Sequence, residues 1–146
     1  MKQLLKSWLP IISGTKKFLA ADLAFRLSRN INRRTFEVVF EGFVDLHNPE
    51  SEQPDIVIYH KNENLRPVMI IEICDVDNME NTTRAIEMLS VIYHIEESFV
   101  YNIADEKWYL LKKGSTRFEP GSYSEFFKTD LNKLLLHSGY LRLAVA

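Results

Sequence analysis

The sequence predicts an α/β domain: a mixed central sheet with helices on both sides. Three observations carry that prediction. Residues 55–59 and 68–74 are short, β-branched and apolar almost throughout, so each strand needs cover on both faces. Residues 36–45 alternate with period two, the signature of a further strand. Stretches with helical spacing precede, divide and follow these strands.

The elements follow in order. Residues 15–30 read as a helix, with Thr15 as cap and Phe18, Leu19, Ala21, Leu23, Phe25 and Leu27 supplying apolar groups at mixed three- and four-residue spacings. Asn30-Ile31-Asn32 ends it, and the strand over 36–45 follows. A polar loop from His47 to Pro54 leads into the two apolar strands, which a polar link from Lys61 to Pro67 allows to pair as a hairpin. Asp77 and Asn78 offer caps for a helix over 79–95, with Ala85, Met88, Leu89, Ile92 and Ile95 on one stripe. Strands over 98–103 and 107–111 flank an Asp105-Glu106 turn, and residues 123–137 read as a last helix. The order is α-β-β-β-α-β-β-α.

A chain of 146 residues suits one domain spanning 1–146, with 1–14 an N-terminal segment and 113–146 a C-terminal extension. Apolar residues make up 46% and charged residues 26%, which excludes a disordered tail and a membrane protein. The net charge of -2 hides an asymmetry. Residues 1–35 hold eight basic side chains and one acid, Asp22, for a net +7; the rest holds ten basic and nineteen acidic groups, for a net -9. Such a split suits an arm that binds a polyanion or self-associates, and equally an arm that packs on the acidic body. Cys74 stands alone, so neither an intrachain disulfide nor a cysteine-based zinc site is available. Residues 1–15 lack a proper apolar core and cleavage site for export, so a reducing cytoplasm is expected. No apolar run nears the roughly 18 residues that span a membrane.

The chemistry gathers in the middle of the chain. Pro54-Asp55 opens one apolar strand, and Glu72 interrupts the next. If these strands pair, the two carboxylates lie side by side, and alternation puts Val68, Ile70, Glu72 and Cys74 on one face. A carboxylate in an apolar strand needs a partner. Two converging carboxylates repel, and magnesium, which keeps several waters and uses one or two carboxylates, relieves them. A buried Arg or Lys beside Glu72 does so equally. The four histidines show no ligand spacing, and Cys74 reads as a small core residue.

A Pro-Asp strand, an apolar strand bearing Glu, a helix and a further strand together resemble the PD-(D/E)xK restriction-endonuclease-like superfamily. The chain is most similar to its Uma-type endonucleases, on residues 94–102 and Trp108-Tyr109-Leu110-Leu111; the likeness covers about residues 15–112. It implies a restriction-endonuclease-like fold and a magnesium-dependent nuclease acting on nucleic acid. Asp55 and Glu72 would be the metal ligands, with the Ile73 carbonyl helping and Glu41 as a further acid. The pattern asks for a lysine two residues after Glu72, and the chain has Cys74 there. A thiol of ordinary pKa is mostly neutral and supplies no positive charge. Uma-type relatives draw the lysine from the next helix, whose only cation here is Arg84. Arg84 is thus the candidate catalytic cation, though a pairing with Glu80 or Glu87 competes. In the basic arm, Lys16, Lys17, Arg26, Arg29, Arg33 and Arg34 are candidates for phosphate contact. The departure at Cys74 leaves two expectations: a nuclease with a degenerate site, and a non-catalytic relative that binds nucleic acid or forms a homodimer.

Overall fold

The computed structural model describes residues 9–74 and 78–138. The described elements are α1 (Leu9–Asn30), β1 (Phe36–Phe40), β2 (Ile56–His60), β3 (Arg66–Cys74), α2 (Met79–Ile92), β4 (Glu97–Asn102), β5 (Lys107–Lys112), β6 (Glu119–Pro120), β7 (Tyr123–Ser124), β8 (Thr129–Asp130) and α3 (Leu131–Ser138). The first six strands form one sheet in the order β1-β2-β3-β4-β5-β6, and β7 and β8 pair separately. All neighbours in the sheet run antiparallel except β3 and β4, which the α2 crossover makes parallel. The mixed sheet flanked by helices is the fold class the sequence predicts.

The doubly apolar strands have the cover they require. Ile56, Val57, Ile58, Val68, Met69, Ile70, Ile71 and Ile73 are fully buried. One core packs Leu19, Leu23 and Leu27 of α1 and Leu131 and Leu134 of α3 against Ile56, Ile71, Ile73 and Phe99. The other packs Ile86 and Leu89 of α2 against Val57, Ile70, Cys74 and Val100. Leu19, Ala20, Leu23, Ala24 and Leu27 repeat with helical period along α1 and form its buried stripe.

The helix expected over 79–95 ends at Ile92 and buries Ile86 and Leu89, while Ala85, Met88 and Ile92 of the expected stripe are exposed. Four further expectations change. First, α1 begins at Leu9, so Thr15 lies inside the helix. Second, β1 stops at Phe40, because Glu41 takes a left-handed φ of 55°. The chain then passes so close to the sheet that a Cβ on Gly42 would sit 2.6 Å from the Tyr59 Oη. Third, Ile58 faces Met69 but Tyr59 faces Pro67, leaving Val68 as an extra residue in β3. That bulge turns Val68 into the α1 core, while Ile70 and Cys74 face α2.

Fourth, the helix expected over 123–137 begins only at Leu131. Buried Glu97 draws the preceding segment into the β7–β8 hairpin. Its carboxylate accepts hydrogen bonds from Ser124 Oγ at 2.5 Å and from the Glu125 and Phe126 N–H groups at 2.9 and 3.3 Å. Lys128 turns at φ 55°, and Asp130 caps α3 by accepting from the Asn132 N–H at 3.1 Å. Of the expected caps of α2, Asp77 lies outside the described residues, and Asn78 stands at the N-cap position without a side-chain capping bond.

Candidate active site

The β2–β3 register places Ile56 opposite Ile71, which brings Asp55, just before β2, beside Glu72 on β3. Backbone bonds fix the approach. The Glu41 N–H donates to the Asp55 carbonyl at 2.9 Å, and Gln53 Nε2 donates to the Glu41 carbonyl at 3.0 Å. The Ile73 N–H donates to Asp55 Oδ2 at 2.8 Å. The described contact of Ile73 at the site is thus its N–H, which holds the Asp55 carboxylate in place.

Both carboxylates are mostly enclosed, with side-chain exposures of 15% for Asp55 and 21% for Glu72. Burial, and then the adjoining Asp55 carboxylate, push the Glu72 carboxyl up to about 8, while Lys16 pulls it down. Two crowded carboxylates, one poised to hold a proton near neutrality, make a donor pair suited to a hard divalent cation that keeps much of its water.

The cation at this pair comes from α1. Lys16 Nζ lies 3.8 Å from Asp55 Oδ2 and 3.9 Å from Glu72 Oε1. Its place follows from the helix: Lys16 stands one turn before Ala20 and two before Leu23, on the stripe that α1 turns to the sheet. A lysine in register with an apolar stripe is the sequence signal that reveals it. Reading Lys16 only as one of a basic arm conceals it.

The other candidates fall elsewhere. Arg84 is 72% exposed and pairs with Glu80 at 2.7 Å on α2. The Glu80 carboxylate one turn away captures it in water. Glu41 contributes its main chain, and its side chain is exposed. Among the described residues no group of three or more His, Cys, Asp or Glu side chains forms a metal-binding set, so Glu41 is not gathered as a third ligand. Cys74 is buried, with Sγ 3.3 Å from Met79 Sδ.

The arm also divides. Lys17 and Arg34 are exposed, Arg26 pairs with Asp22 at 2.9 Å, and Arg29 lies 5.6 Å over the Phe25 ring. Arg33 Nε donates to the Ser28 carbonyl at 2.8 Å. The thirteen residues from Lys16 to Arg29 span about 20 Å of helix, so the distal arginines stand well away from the carboxylates.

Beside the pair opens a cleft of about 460 Å³, lined by residues 52–54, by α2 and by Lys16, Glu72 and Cys74. Among the described residues no helix is long and apolar enough to cross a membrane.

No family model matches the chain, and no curated protein matches it. Among solved structures, it is similar to a "putative nuclease belonging to DUF820" from Anabaena variabilis, with a TM-score of 0.60 and 15% identity, over 80% of this chain and 79% of that one. The likeness is one of fold.

Proposed function

We propose that this chain is a divalent-metal-dependent nuclease of the restriction-endonuclease-like kind, in which Asp55 and Glu72 hold magnesium and Lys16 is the catalytic cation. The observation that carries this reading is the approach of Lys16 Nζ to both carboxylates, at 3.8 and 3.9 Å. Magnesium held there would supply a water of lowered pKa and polarise the phosphoryl oxygens. The protein's own groups do the rest. Asp55, fixed by the Ile73 N–H, and Glu72 set where the ion stands. Lys16 orients the attacking water and offsets the charge that grows on the phosphoryl oxygens as water adds and the ester oxygen departs. Within the Uma-type likeness, Lys16 performs from the helix before the sheet what relatives perform from the helix after it.

The test is cleavage of plasmid and single-stranded DNA with magnesium or manganese. Wild-type protein should cut, and Glu72→Ala should abolish cutting. Lys16→Met should lower kcat about 10²- to 10³-fold, whereas Arg84→Ala should leave it unchanged. No cleavage, together with no metal-dependent rise in melting temperature, overturns the proposal.

Cys74 in the lysine position favours a second reading, a non-catalytic relative that binds nucleic acid or pairs with its own copy. Here Lys16 offsets the carboxylates in place of a metal. It predicts binding that weakens steeply with salt, without cleavage.

A further inference from the structure

The cleft beside the carboxylates is larger and chemically more mixed than a phosphate site requires. Its volume of about 460 Å³ falls in the range of sites that enclose a small organic ligand. Its lining includes Lys16 and Glu72 and, from the start of α2, Asn78, Asn81, Thr82 and Ala85 at helical spacing, of which Asn78, Asn81 and Ala85 are exposed. Ile86 and Leu89 form an apolar floor.

Two of the polar residues on this wall, Asn78 and Asn81, are exposed. Asn78 occupies the N-cap position of α2, yet its side chain makes no capping hydrogen bond. Among the described residues, Asn78, Asn81 and Thr82 donate no side-chain hydrogen bond into the cleft, and Thr82 accepts none there. Two unspent amides above an apolar floor suit a flat heteroaromatic ring, whose faces are apolar and whose edge carries donors and acceptors.

Charge limits what else can enter. Lys16 is the cleft's one lining cation among the described residues, against Glu52 and Glu72. A duplex presenting many phosphates would meet acid around the site, and Arg29, Arg33 and Arg34 stand about 20 Å or more along the chain from it. One phosphate and one exposed base match the cleft; a stacked, paired base cannot present its edge to it.

Resting on the nuclease reading, we infer that the cleft takes an unpaired nucleobase next to the scissile phosphate, so the substrate is single-stranded or locally unpaired nucleic acid. The α2 wall reads the base through Asn78 and Asn81, while Lys16 and the carboxylates act on its phosphate.

The experiment measures anisotropy of a labelled mixed-sequence single-stranded DNA 12-mer and of its matched duplex in EDTA, and cleavage of both with magnesium. Single strand should bind at least tenfold tighter than duplex. Asn78→Ala with Asn81→Ala should weaken single-strand binding about tenfold and leave duplex binding unchanged. Ala85→Trp, which fills the cleft from an exposed helix position, should do the same without moving the carboxylates. Equal or tighter duplex binding overturns the inference, as does wild-type single-strand affinity in both variants. Cleavage with no single-strand preference sinks this inference alone. Asn-dependent single-strand binding without cleavage supports the binding site and sinks the nuclease reading. Binding to neither sinks both.

Discussion

Replacing Glu72 with Gln should remove much of the protein's loss of stability between acid and mildly alkaline pH. Glu72 is pushed up to about 8 from 4.5, by burial first and then by Asp55. Its folded-state pKa is thus raised, so the folded chain binds this proton more tightly than the unfolded chain. The resulting stability is complete below about 4.5 and is lost as pH rises through about 8. At about 1.4 kcal/mol per pH unit the full interval sets a ceiling near 5 kcal/mol. Partial exposure and relaxation reduce that to on the order of 3 kcal/mol. Gln matches the protonated acid in shape and does not titrate. The assay is urea unfolding at pH 5 and pH 8.5 in EDTA. Wild type should lose on the order of 3 kcal/mol more between these conditions than Glu72→Gln, or about 6–12 °C in Tm. Magnesium at ten times its Kd should return about 1.4 kcal/mol to wild type at the higher pH and little to the variant. Identical pH profiles for the two proteins refute the reasoning, because other titrating groups are common to both.

Two structural predictions bear on what holds the site. Gly42→Ala should cost about 1–3 kcal/mol in chemical denaturation, because its Cβ meets Tyr59 Oη at 2.6 Å and Val39 Cγ1 at 2.9 Å; an unchanged midpoint would contradict the close approach. Glu97→Ala should cost about 2–4 kcal/mol and speed amide exchange across residues 122–130, since it removes the acceptor for Ser124, Glu125 and Phe126. Exchange rising equally across the whole sheet would instead mean that the hairpin is not held locally.

The sheet was legible because its signals are local. Doubly apolar β-branched runs identify β2 and β3, and the pairing of Asp55 with Glu72 follows once those strands form a hairpin. What escaped depends on distant partners. Residues 123–130 read as the start of the last helix, and the Glu97 carboxylate, 27 residues upstream of Ser124, holds them in a hairpin. The bulge at Val68 is likewise invisible to a period-two count, because it arises in pairing with Ile58 and Tyr59. Arg84 was a plausible cation on chain order alone; Glu80, one turn away, captures it in water. The nominal arm separates for a similar reason, since a helix carries its residues in all directions and only Lys16 lies in line with the buried stripe.

Cys74 shows why the positive charge enters from α1. Its side chain is only 2% exposed and belongs to the core that Ile86, Leu89 and Val100 complete. Cys74 also borders the cleft that Lys16 and Glu72 line. The Lys16 side chain is 31% exposed and its amine reaches both carboxylates. Charge stabilisation depends on where the cation stands relative to the reacting phosphate, and chain order does not enter into it. A small residue two positions after Glu72 and a lysine in register with the α1 stripe thus meet at one cleft: Cys74 packs against Ile86 and Leu89 of α2, and Lys16 brings its amine to the carboxylate pair from α1.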